Sequence, residues 1–142
     1  MNATYQRFVL GVAILLGGWL ALNVSASVIQ IGGVTLQVEI ADTQEKKEKG
    51  LSNREFLEQN SGMLFLFEKL GRYGFWMKEM NFAIDIIWID KDKTVVEITK
   101  NVDPKTFPKV FYSKGAVQYI IETQAGWTKV NDIQLGDKIL GL

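Results

Sequence analysis

Short apolar runs, separated by glycines, charges and turn residues, set the pattern of this chain. Val34, Leu36, Val38 and Ile40 alternate with Thr35, Gln37 and Glu39, the period-two signature of a strand with one buried face. The preceding segment, Val28 to Ile31, joins it through Gly32-Gly33, a pair suited to a two-residue hairpin turn. Between Gly62 and Asp90 the pattern changes. Gly62-Met63-Leu64-Phe65-Leu66-Phe67 is wholly apolar, Phe75-Trp76-Met77-Lys78 is an aromatic pivot, and Ala83 to Ile89 is apolar apart from Asp85. Runs this short, rich in β-branched and aromatic residues, predict strands buried on both faces. They form the expected core.

The flanking segments read as lighter elements. Asp42 or Thr43 caps a polar helix, Gln44 to Lys49, with Glu45 and Lys49 at pairing distance and Gly50 as its stop. A helix polar all round packs little, so it belongs on the surface. Glu55 to Glu58 suggests one more helical turn. Asp90 to Lys93 turns the chain into a strand at Thr94 to Ile98. Asn101 to Gly115, which holds both prolines, is the longest loop. Val117 to Glu122 is a further strand, Trp127 to Asn131 a short helix, and Lys138 to Leu140 a last strand. About eight short strands against two or three short helices make the fold class mainly β, a compact β-sandwich or partly open barrel.

The amino terminus has a different character. Arg7 precedes an unbroken apolar run, Phe8 to Leu22, and Val24-Ser25-Ala26 ends in small residues. This is the layout of a secretory signal, and the run is short for a spanning helix, which needs roughly 17 to 25 residues. Residues 1–26 are therefore expected to be a signal peptide cleaved after Ala26 or an N-terminal membrane anchor, and residues 27–142 a single β-rich domain. On either reading the positive-inside rule places the domain across the cytoplasmic membrane, periplasmic, extracellular or anchored facing outward.

Composition narrows the chemistry. The 142 residues include no Cys and no His, which removes disulfides, thiol nucleophiles, imidazole bases and the usual ligands of zinc, copper and haem. No cofactor and no metal is expected. Lys plus Arg and Asp plus Glu balance at 16 each and are interspersed, so the basic stripe of a nucleic-acid binder is missing.

Several blocks then form a recognisable set: Ala41-Asp42-Thr43, Gly50-Leu51-Ser52-Asn53-Arg54, Gly62 to Phe67, Phe75 to Lys78, Ile84-Asp85-Ile86, Tyr112-Ser113, Tyr119 to Glu122, Gly126-Trp127 and Gly136-Asp137. Together they resemble domain-of-unknown-function family 192, a bacterial and archaeal family. The resemblance covers essentially everything after Val34 and implies a compact, mainly β, single domain, often behind a leader. It implies no activity. After Lys78 the family usually has Asn and Thr, whereas this chain has Glu79 and Met80.

Candidate site residues are the charges and aromatics attached to the core strands: Arg54, Trp76, Lys78, Asp85, Tyr112 and Glu122. Asp85 stands among isoleucines, either as an acid or base with a raised pKa or in a buried ion pair with Arg54, Lys78 or Arg72. Arg54 has the planar fork to grip Asp85, Glu122 or a ligand carboxylate. Lys78 shares a strand face with Trp76, opposite Phe75 and Met77. The leading expectation is an exported, non-catalytic domain binding a small polar ligand or an envelope protein, touching the membrane only through an uncleaved N-terminal segment. One alternative is a carboxylate hydrolase of envelope glycans, using two of Asp42, Asp85 and Glu122 in one cavity. Another is a structural accessory module whose charges are all internally paired.

Overall fold

In the computed structural model, residues 26–142 are described. The leader expected over residues 1–26 lies outside the described residues, apart from Ala26, which opens the first strand. Among the described residues no helix is long and apolar enough to cross a membrane.

β1 (Ala26–Ile31) and β2 (Val34–Ala41) form the expected hairpin. Gly32 and Gly33 both hold positive φ, 57° and 80°, the left-handed pair that a tight hairpin turn requires. β2 is followed by the helix α1 (Gln44–Lys49), capped by Thr43 and buried nowhere. The Glu45–Lys49 pairing is replaced by Asp42–Lys46, with Nζ to Oδ1 at 2.8 Å. No helical turn forms at Glu55 to Glu58. That segment lacks an apolar stripe, and a single turn seldom offsets its nucleation cost.

β3 (Ser61–Gly71) returns parallel to β2, and β4 (Phe75–Trp76) pairs with β7 (Val110–Phe111) as a separate two-stranded ribbon. β5 (Ile84–Ile89) is buried along its whole length between β6 (Val95–Val102) and β8 (Val117–Gln124). A short helix, α2 (Trp127–Val130), and β9 (Ile139–Leu140) complete the chain. The main sheet runs β6-β5-β8-β3-β2-β1-β9. Its two edges approach each other: Thr94 bridges Lys138, and Val95 N donates to the Asp137 carbonyl at 2.9 Å. The fold is thus mostly β, nine strands of which seven form a curled half-barrel and two a side ribbon, the partly open barrel expected from the pattern.

Alternation sends side chains to two cores. On the first face lie Met63, Phe65, Ile86, Trp88 and Ile120, covered by Leu51, Leu57, Phe75 and Met77 from the connections. On the second lie Leu36, Val38, Leu64, Ile87 and Ile121, covered by Trp127 and Ile133. A buried aliphatic or aromatic side chain contributes about 1.5–3 kcal/mol, so both cores are needed to hold one sheet. Gly62 lets β3 approach β8: a Cβ there would meet the Glu122 carbonyl oxygen at 2.6 Å.

Candidate functional site

The β2–β3 connection and the β4 ribbon stand on the first face of the sheet with a cavity of about 710 Å³ between them, within the range of small-molecule sites. Motif blocks far apart in sequence build it. Ser52 Oγ donates to the Lys78 carbonyl at 3.0 Å, Asn53 N to the Glu79 carbonyl at 2.8 Å, and Asn81 Nδ2 to the Arg54 carbonyl at 2.8 Å. Asn53 and Glu79 face each other with positive φ, 61° and 57°, and Asn53 Nδ2 donates to Glu79 Oε2 at 3.1 Å. Glu79 therefore holds a left-handed backbone conformation that asparagine adopts more readily than glutamate.

The cavity walls are aromatic. Phe67 and Tyr73 stack with centroids 3.5 Å apart, and Phe65 meets Phe75 edge-on at 4.8 Å. Trp76, half exposed, stands at the mouth, its ring edge-on to Phe107. Lys47 Nζ lies 4.7 Å from the Phe67 ring centre and Lys78 Nζ 5.8 Å from that of Trp76. Trp76 and Lys78 point away from buried Phe75 and Met77, as their alternation implied.

Glu122 forms part of the lining and is only 5% exposed. Burial pushes its carboxyl up to about 8, against a smaller lowering by Arg54. No hydrogen bond or ion pair reaches that carboxyl among the described residues. At pH 7, below the raised value of about 8, the protonated acid predominates, a donor as well as an acceptor. Arg54 itself is engaged elsewhere. Both nitrogens of its fork donate to the Glu39 carboxylate, Nη2 to Oε2 at 2.7 Å, which holds Glu39 below its usual value and raises Arg54. Glu39, Met63, Glu122 and Ile86 are register neighbours across β2, β3, β8 and β5, so Arg54 is tied down at a row position two strands away from Glu122.

Asp85 is fully buried but belongs to the other face. It opposes Thr123, whereas Glu122 opposes Ile86. Its Oδ1 accepts from Asn101 N at 2.9 Å, and its Oδ2 accepts from Gly126 N, Thr128 N and Thr128 Oγ1 at 3.1, 3.1 and 2.6 Å. Gly126, the cap residue of α2, has no side chain to cap that helix. Asp85 supplies the missing acceptor from the neighbouring strand.

The structure therefore brings Trp76, Lys78 and Glu122 together and leaves the other candidates apart. The expected ion pair of Asp85 with Arg54, Lys78 or Arg72 does not form, because backbone amides and a hydroxyl satisfy the carboxylate where no cation reaches. Arg54 pairs with Glu39 rather than with Asp85, Glu122 or an open site. Tyr112 is half exposed, against Gly74 and 5.8 Å from the Arg72 guanidinium, outside the cavity lining. Asp42, exposed and bonded to Lys46, stands apart too. With Asp85 and Glu122 on opposite faces, the carboxylate pair required for glycoside hydrolysis is not assembled from these residues. Phe65, Phe67, Tyr73 and Lys47 join the site without having been singled out as members. Phe65 and Phe67 stand in an apolar block and Tyr73 beside the aromatic pivot, whereas Lys47 belongs to the polar helix α1 and no signal in the sequence marked it.

Residues 27–141 match family DUF192, described as an uncharacterised ACR. The chain is 33% identical over 110 residues to a UPF0127 protein of Pyrococcus abyssi, a match covering 72% of this chain and 84% of that protein. Among solved structures it resembles a candidate transcription regulator from Sinorhizobium meliloti, with TM-score 0.77 and 29% identity over 82% of this chain and 94% of the other. It also resembles a protein of unknown function from Novosphingobium aromaticivorans, with TM-score 0.74 and 25% identity over 81% and 84% of the two chains.

Proposed function

The chain belongs to the uncharacterised family DUF192, and we propose that its β domain is an exported, non-catalytic binding module whose ligand enters the cavity containing Glu122. The observation that carries this reading is the buried carboxyl left without a protein partner beside open space. No side-chain polar atom sealed from solvent lacks a partner among the described residues, so the Glu122 carboxyl, which has no protein hydrogen bond, meets the open cavity rather than the packed core. An aromatic wall with a few convergent polar groups is the usual composition of a small-molecule site. The same unpaired carboxyl and open cavity weigh against a structural module whose charges are all internally matched.

The test is thermal unfolding of the full chain, in mild detergent, against envelope sugars, amino acids, nucleotides and organic acids, for the parent and Trp76→Ala. A true ligand at a hundredfold excess over its Kd stabilises by about 2.7 kcal/mol, a shift of several degrees in the parent. The shift should vanish in Trp76→Ala, whose half-exposed ring contributes little to the core. A panel that moves neither protein, or moves both alike, counts against the site.

Export rests on the sequence of the leader. Fractionation of expressing bacterial cells should place the domain outside the cytoplasm, either starting at Ser27 or membrane-bound and open to external protease. Full-length chain confined to the cytoplasm would remove this part of the reading.

A further inference from the structure

The charges at the mouth of the cavity are unequally satisfied. Its carboxylates have amide partners: Glu48 Oε1 accepts from Gln44 Nε2 at 2.7 Å, and Glu79 Oε2 from Asn53 Nδ2. Its ammonium groups do not have carboxylate partners. Lys47 and Lys78 each rest against an aromatic ring and enter no ion pair among the described residues, and Lys49 is a third lysine on the lining. Beneath them the walls are apolar rings, and the acid at Glu122 is approached by the field of Arg54 alone.

We propose that the ligand is a small organic anion with an apolar body, a carboxylate on rings or on an alkyl chain. This rests on the reading of the cavity as a binding site. The anionic head takes the ammonium groups of Lys47 and Lys78, and the body lies against Phe65, Phe67, Tyr73 and Trp76 above Glu122. At the mouth Lys47, Lys49 and Lys78 outnumber the carboxylates Glu48 and Glu79, so a cation would meet net positive charge there. Anions and rings suit the cavity together because each lysine already lies on an aromatic face, so a bound carboxylate meets a cation held beside the ring that packs its body.

A pH dependence follows from the protonation of Glu122. The charged groups around it are Lys47, Glu48 and Lys49 on α1, Lys78 and Glu79 after β4, and the Arg54–Glu39 pair beside β2. Its nearest strand neighbours, Met63 and Ile86, are uncharged. An anion above Glu122 favours the protonated acid, so binding is strongest below about 8 and weakens as the acid ionises. If the anion raises that value by one further unit, affinity falls about tenfold on the alkaline side.

The experiment uses naphthylacetate, naphthylethanol and naphthylethylamine, probes of similar body that differ in the charge of the head. Titration calorimetry on the full chain, in detergent, is run at about pH 6 and about pH 9.5, either side of the Glu122 ionisation. The anion should bind best and lose about tenfold at the higher pH, a pH dependence that Glu122→Gln should abolish. Changing both lysines, Lys47→Met with Lys78→Met, should weaken the anion about tenfold and leave the alcohol unchanged. If the alcohol or amine binds as well as the anion, the anion class is overturned while the site stands. If none of the probes binds at millimolar concentration, the site itself falls.

Discussion

Asp85 and Glu122 lie on adjacent strands, one register step apart, and the sheet turns them to opposite sides. Both are buried to a similar degree. On the second face Asp85 collects backbone amides from β6 and from the start of α2, and a hydroxyl from Thr128, and so fastens α2 and the irregular β6 segment at Asn101 to β5. On the first face Glu122 collects nothing, and burial keeps it protonated. The difference shows that burial of a charge-bearing residue does not by itself mark a site. What separates fastening from site is the partner list, and beyond it whether the space in front of the carboxyl is filled.

The comparison breaks most sharply at Asp85. Asp85→Asn replaces one accepting oxygen by an NH2 group that must face backbone N–H donors, so the expected cost is about 2–4 kcal/mol. Urea denaturation should give a lower midpoint at unchanged slope. A loss under about 0.5 kcal/mol would mean that the hydrogen bonds to α2 hold nothing together. Ligand binding by the variant, where folded, should be unaffected, because Asp85 does not touch the cavity.

Glu122 should behave in the opposite sense. Its folded value lies above its unfolded one, so its contribution is fully present below about 4.5 and is lost as pH rises to about 8. Glu122→Gln keeps the shape of the protonated acid and cannot ionise. The variant should match the parent in mild acid and be more stable above pH 8 by roughly 1–3 kcal/mol, read as a higher melting temperature in alkaline buffer. Glu39, held below its usual value by Arg54, acts the other way, losing its contribution as pH falls. A Glu122→Gln variant that is destabilised at every pH would show a hidden hydrogen-bond partner for the carboxyl and end the contrast.

The parts of this picture that were legible in the sequence are the local ones. Alternation in Val34 to Ile40, the glycine pair before it and the unbroken run Ile84 to Ile89 each report their own strand, because side-chain period and turn geometry are settled within a few residues. The same holds for the opposed faces of Phe75–Met77 and Trp76–Lys78. Partners were not legible. Arg54 had several carboxylates within plausible reach, and only the parallel crossover from β2 to β3 brings it to Glu39. Asp85 looked like half of an ion pair because its neighbours in sequence are apolar, whereas its acceptors' work is set by Asn101 of β6 and by Gly126 and Thr128 of the α2 cap and helix.

The amino-acid sequence by itself therefore determined the mainly β class, the turns, the in-out alternation of each strand and the family to which the chain belongs. Only the tertiary structure decided that Asp85 closes a helix end while Glu122 borders an open cavity. The reason is register: a strand's pattern states which residues share a face, but pairing with β3, β5 and β8 decides which face that is and what covers it.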